Sequence, residues 1–229
     1  MNIIVNGGTR GIGKEVVIYL AQDTSNQILV TGRNEKSLKI LTDNYDNVHS
    51  MVIDLSVFDK KIELFRDTVY KYLKKVDILI NMAGLLVPKG FMDIADREAR
   101  LMMEINFFGP ASVIRILKPL MSRGSHIVNI SSMGGFQGSA KYIGLSYYSA
   151  SKAALACLSE CLAKEFMESG ISVNCLTLGA VQTEMLEEAF PGSKAPIGAE
   201  KMAEFISYFA MNGQKFINGK IIPVAVNNP

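Results

Sequence analysis

The sequence predicts an α/β fold: a single-domain, doubly wound parallel sheet of about seven strands with helices on both faces. Three observations carry that expectation. Short apolar runs alternate with helix-patterned segments along the whole chain, as they must where crossover helices join parallel strands. The runs are mostly apolar without a polar face, so the strands are buried on both sides. At 229 residues the chain suits one such domain, spanning 1–229, with enough length to bury a full core.

The elements follow in order. Ile3, Ile4 and Val5 form the first strand, which runs into a glycine-rich turn (Gly7, Gly11, Gly13) and then an amphipathic helix from Lys14 to Ala21. Gln27 to Gly32 is the second strand, followed by a helix from about Glu35 to Leu41. Val48 to Asp54 reads as the third strand. Ser56, with Asp59 three residues on, resembles a capping box opening a helix that runs to about Lys74. Val76 to Asn81 is the fourth strand, and a long helix spans about Asp96 to Leu120. His126 to Ser132 is the fifth strand. The next helix runs from Tyr148 to Glu168, with Gly170 in the place of a C-terminal cap. Ile171 to Gly179 is the sixth strand. A helix near Ala199 to Met211 and a last strand from Lys220 to Val226 close the chain. There is no internal repeat, low-complexity tract or linker.

Composition excludes several classes. A net charge of +2 gives no electrostatic footprint for nucleic acid. No apolar run reaches the length of about 18 residues that a membrane span needs. The first strand starts at once, which leaves no room for a signal peptide and predicts a cytoplasmic protein. Cys157, Cys161 and Cys175 show no disulfide-framework spacing, and with only His49 and His126 as partners no metal site is expected.

The chemistry should lie just past the carboxyl ends of the strands. A strand that turns through Gly7, Thr9, Arg10, Gly11, Ile12 and Gly13 into a helix aims free N–H groups at one point, a phosphate site at the positive helix end. The same turn could equally be a tight βα connection with no ligand. Arg33 follows the second strand twenty residues after Gly13, where an acidic residue would hold the ribose of NAD and an arginine suits the 2′-phosphate of NADP. Arg10 can approach the same phosphate, although either arginine could be a solvated surface charge. Asp54, with Leu55 beside it, could accept from an adenine amino group or serve only as a turn residue. After the fourth strand, Asn81, Ala83 and Gly84 form a segment whose small residues let the backbone approach a ribose.

Tyr148 and Lys152 stand four apart at a helix start, on one face. An ammonium beside a phenol favours the phenolate and makes it a usable general acid or base. Ser132 is placed to hydrogen-bond a substrate oxygen. Pro110, which has no N–H, deprives the Asn106 carbonyl of its helical partner, and Gly109 loosens the same turn. The freed carbonyl could hold a water, or the proline could be merely tolerated.

Gly7-Gly8-Thr9-Arg10-Gly11-Ile12-Gly13, Asn81-Met82-Ala83-Gly84, Asn106, Ile130-Ser131-Ser132 and Tyr148-Ser-Ala-Ser-Lys152 occur in one order. In that order the chain resembles the classical branch of the short-chain dehydrogenases/reductases over nearly its whole length. The resemblance implies a Rossmann-type fold, with Tyr148 as catalytic acid/base, Lys152 lowering its pKa and binding the nicotinamide ribose, Ser132 orienting the substrate oxygen, and Asn106 supporting a proton relay. It also implies that Val181 and Thr183 touch the nicotinamide carboxamide. Asn6, Met82 and Leu178-Gly179 depart from the family pattern, and the segment between Ser132 and Tyr148 is about three residues longer than common. The stretch from Glu184 to Glu200, where the family carries a substrate lid, is short, and the usual terminal Asp-Gly-Gly is missing.

The expected activity is NADP(H)-dependent hydride transfer to or from a carbonyl or alcohol carbon of a small molecule. A cofactor-binding regulatory protein, or an isomerase or dehydratase, are the alternatives on the same fold. The small residues Ala153, Ala154, Ala156, Cys157 and Ala163 favour a homodimer through the helix that begins at Tyr148, with a tetramer also possible.

Overall fold

A computed structural model describes residues 1–226, so the end of the expected domain, 227–229, lies outside the described residues. The strands are β1 (Asn2–Asn6), β2 (Gln27–Gly32), β3 (Val48–Val52), β4 (Ile78–Asn81), β5 (His126–Ser132), β6 (Ser172–Leu178) and β7 (Ile221–Val224). They form one sheet in the order β3-β2-β1-β4-β5-β6-β7, and every adjacent pair is parallel. Strand order reverses between β1 and β4, so a crevice opens above their carboxyl ends.

The helices are α1 (Gly11–Ala21), α2 (Glu35–Asn44), α3 (Ile62–Tyr72), α4 (Asp96–Met103), α5 (Gly109–Leu117), α6 (Ser146–Glu165), α7 (Glu184–Ala189) and α8 (Ala199–Asn212). Successive strand residues feed two cores. Ile3, Val5, Ile28 and Val30 pack with Val17 and Leu20 of α1 and Ile206 of α8. Ile4 and Leu29 point the other way, against Phe65 of α3, Ile114 of α5 and Ala163 of α6. Each fully buried Val, Leu, Ile or Phe side chain among them contributes roughly 1.5–3 kcal/mol. This two-sided demand is why the strand sequences lack a polar face.

Several expected boundaries shift. Helix α1 begins at Gly11, inside the glycine turn, and not at Lys14. The segment after β3 opens on Asp54, whose carboxylate accepts from the Ser56 N–H at 2.9 Å; Ser56 is not the cap. A 3₁₀ segment (Leu55–Lys61) then precedes α3, because the chain must first bury Leu55 and Phe58. Helix α6 stops at Glu165, and Gly170 (φ +67°) closes the turn beyond it.

The long helix from Asp96 to Leu120 is not continuous. Between α4 and α5 a π turn covers Glu104–Phe108, where the Gly109 N–H reaches back five residues to the Glu104 carbonyl. Pro110 supplies no N–H at this point, and the wider turn absorbs the break. The bulge sets Asn106, fully buried, behind the wall of the crevice.

Candidate active site

The crevice is a cleft of about 840 Å³ lined from the β1–α1 turn to the start of α6. At one end the glycine turn is fixed by contact. Gly7 has φ +96°, and a Cβ placed on it would lie 2.4 Å from the Ala83 nitrogen. A Cβ on Gly13 would lie 2.2 Å from the Gly7 carbonyl, so the turn closes only on bare backbone. Helix α1 starts from this turn with no side-chain cap and no acidic residue in its first turn. Its first N–H groups therefore face the cleft with the positive end of the helix dipole behind them. The chemistry of this cradle, bare amides with no carboxylate in the first turn of the helix, fits a pyrophosphate.

Beyond the turn, Thr9, Ile12, Arg33, Asp54 and Leu55 line the same wall, with Ala83 and Gly84 facing them. Arg33 is exposed and enters no ion pair among the described residues. Arg10 differs: its guanidinium donates to Glu188 of α7 at 2.6 Å. Asp54 spends one oxygen on the Ser56 amide and hydroxyl.

At the other end β5 delivers Ser132 and α6 delivers Tyr148 and Lys152, all lining the cleft. The Ser131 hydroxyl donates to the Lys152 carbonyl at 2.8 Å, which ties strand to helix and turns Ser132 to the cleft. Lys152 is buried, donates to the Ile130 carbonyl at 2.9 Å, and has a pKa lowered to about 8 by desolvation. Desolvation also raises the Tyr148 pKa, against a smaller lowering from the Ser132 hydroxyl. The sequence leads one to expect a phenol acidified by Lys152. In the protein alone burial sets the direction instead, and the phenol is held in its proton-bearing form.

Two expected site residues stand behind the wall. Asn106 is wholly buried: its Oδ1 accepts from the Leu85 N–H at 2.7 Å, and its Nδ2 donates to the Leu85 carbonyl and to Ser151 Oγ, each at 2.9 Å. Ser151 in turn donates to the Tyr148 carbonyl at 2.7 Å, so Asn106 reaches the tyrosine only through backbone. A Cβ on Gly84 would lie 3.4 Å from Lys152 Nζ and 3.7 Å from Asn106 Oδ1, which keeps that position open for contact with both. Asn81 is also buried, its amide held between Asn6 and Asn129, and its side chain does not line the cleft. Val181 and Thr183 do line it, with Thr183 capping α7 by accepting from the Leu186 N–H.

Sequence reading missed a polar row under this site. Thr31 Oγ1 donates to Asn6 Oδ1 at 2.9 Å, Asn6 to Asn81 at 3.2 Å, Asn81 to Asn129 at 2.8 Å, and Asn129 to Ser159 of α6 at 2.9 Å. The only trace in the sequence is an asparagine in each of three apolar strands, ending two of them and lying mid-way in the third.

Fold and site together define a class: a doubly wound α/β protein with a bare helix N-terminus at one end of its cleft and Ser, Tyr and Lys at the other. The short-chain dehydrogenase family model matches residues 1–194. An uncharacterised oxidoreductase from Staphylococcus saprophyticus is 30% identical over 213 residues, covering 90% of this chain and 88% of that one. A dehydrogenase/reductase structure from Sinorhizobium meliloti superposes with a TM-score of 0.84 at 25% identity, covering 97% of this chain and 92% of the other. A short-chain dehydrogenase from Burkholderia cenocepacia in complex with NADP shares the fold, with a TM-score of 0.85 at 22% identity over 97% and 95% of the two chains. The chain belongs to the short-chain dehydrogenase/reductase family.

Proposed function

We propose that the protein is an NADP(H)-dependent oxidoreductase acting on a carbonyl or alcohol carbon of a small molecule, working in the cytoplasm as a homodimer of single catalytic domains. One observation carries the reading: a phosphate cradle with a free arginine and a Ser–Tyr–Lys group share one continuous cleft. The NADP in the Burkholderia cenocepacia relative supports the choice of cofactor. Of the small residues expected to pair two copies, Ala156 and Ala163 are buried in the core of the chain itself, while Cys157, with Ala150 and Cys161 beside it, is exposed on α6 and supports pairing through that helix.

The first-turn amides of α1 would hold the pyrophosphate, and Arg33 the 2′-phosphate. Lys152 would bind the ribose next to the reacting ring. When bound, the cofactor supplies or accepts the hydride. In reduction Ser132 Oγ donates a hydrogen bond to the substrate carbonyl oxygen and fixes its direction. Tyr148 gives its phenolic proton to that oxygen as negative charge develops there, and the raised pKa keeps the proton in place until then. Asn106 holds the Leu85 segment and, through Ser151, the first turn of α6.

A screen of aldehydes, ketones and quinones for loss of NADPH fluorescence tests the reading. At least one class should turn over. An NADPH-binding protein that reduces none of them would be the regulatory member of the fold instead.

A further inference from the structure

Resting on that oxidoreductase reading, we infer that the substrate is an apolar carbonyl compound carrying an anionic group, selected by Lys141 and Ile143 of the segment Gly138–Gly144 together with Lys194. The first observation is apolar surface where a substrate would enter. Leu86, Tyr142, Ile143, Met185 and Phe190 line the cleft, and Ile143 is 99% exposed. Apolar side chains gathered along one cleft in this way mark a contact surface. Outside the cleft lining, Phe91 stacks on Tyr147 with ring centroids 5.6 Å apart, and Met92 is 88% exposed.

This loop is held in place. The Lys89 N–H donates to the Gly144 carbonyl at 3.1 Å. Gly138 and Gly144 both take positive φ (+83°), which lets the short segment leave β5 and return to α6. These residues fall in the stretch that is about three residues longer than common in the family, so the surface belongs to this chain.

The second observation is charge. The carboxylates on the cleft wall are Asp54 and Glu184. Asp54 is engaged with Ser56 beyond the glycine turn, and Glu184 Oε2 lies 3.4 Å from a Cβ placed on Gly11. Both therefore belong to the glycine-turn end of the cleft. Lys141 and Lys194 line the cleft as well. The Lys141 ammonium donates to the Phe136 carbonyl at 2.7 Å and to Ser139 Oγ at 2.8 Å. Two of its three N–H bonds are thus spent on fixing it, and the third is left for a ligand. A cation placed in advance, beside apolar surface and without a counter-charge, fits a carboxylate or phosphate on an apolar frame.

Paired probes test this: 4-formylbenzoate against its methyl ester, reduced with NADPH by the wild type and by Lys141→Gln/Lys194→Gln. The wild type should favour the carboxylate about 10-fold in kcat/KM, and the double variant should bring the ratio near one. A ratio near one in the wild type, or one that the substitutions leave unchanged, overturns the inference. If neither probe is reduced, calorimetric binding of 4-methylbenzoate and 4-methylbenzamide to the protein with NADPH decides. Tighter benzoate binding that the double variant loses upholds the anionic ligand while the activity reading fails; equal binding overturns the anionic ligand too.

Discussion

Beneath the cleft, Thr31, Asn6, Asn81, Asn129 and Ser159 pass hydrogen bonds in one direction across four strands into α6. At its lip, α7 is six residues long, buries none of them, and is joined to the glycine turn by the exposed Arg10–Glu188 pair. Both regions are polar, but they behave oppositely under loss of a partner. In the buried row a missing partner leaves a desolvated group unsatisfied, at roughly 1–3 kcal/mol each. At the lip water replaces the partner, and an exposed ion pair contributes only about 0–1 kcal/mol. The floor keeps the glycine turn and α6 in fixed relation. The lip can exchange one partner for another.

Tyr148→Phe removes the proton donor from the floor side, and turnover should fall about 10² to 10⁴-fold with NADPH affinity kept within about threefold. Single-turnover and binding measurements separate the two; a variant that keeps most of its rate removes Tyr148 from the role. Arg33→Asp should change the ratio of kcat/KM for NADPH over NADH from about 10² to 10³ in favour of NADPH to a preference for NADH, each decade corresponding to about 1.4 kcal/mol. Equal efficiency with both cofactors in the wild type would leave Arg33 a plain surface charge.

Asn129→Leu cuts the row in its middle and leaves Asn81 and Ser159 without their partner. Urea unfolding should show a loss of about 2–4 kcal/mol. A loss below about 1 kcal/mol would put the floor on a par with the lip. Glu188→Gln frees Arg10 at the lip. Stability should hardly move, while NADPH affinity rises about 2- to 5-fold and NADH affinity stays level. An equal rise for both cofactors would mean that α7 blocks the cleft as a whole.

The sequence makes the sheet legible because burial on both faces leaves no room for polar alternation, as in Ile3-Ile4-Val5. Most of the cleft wall is legible too, since Gly7, Gly13, Ser132 and Lys152 sit at strand ends or helix starts. The row is not, because its members are far apart in the chain. Asn6 faces both Thr31 and Asn81, and Asn81 faces Asn129, only once strand order and register exist. The π turn is half legible: Pro110 announces a break but not the reach from Gly109 to Glu104. The direction of the Tyr148 shift depends on burial, which no local spacing encodes.

Lys152 carries a thermodynamic consequence for the whole molecule. Its ammonium has a pKa of about 8 in the folded chain against 10.5 as the ordinary value. Between those two pH values the unfolded chain binds a proton that the folded chain has released, so stability rises with pH across that window. Below about pH 8 the full penalty stands, up to about 3 kcal/mol at 1.36 kcal/mol per pH unit. Lys152→Met should therefore yield an inactive protein that melts higher than the wild type at pH 7, with the advantage shrinking as the pH approaches 10. A lower melting temperature at pH 7 would show that the bond to the Ile130 carbonyl outweighs the desolvated charge. Like a spring held compressed, the fold keeps a cation at a position where folding alone would select a hydrocarbon.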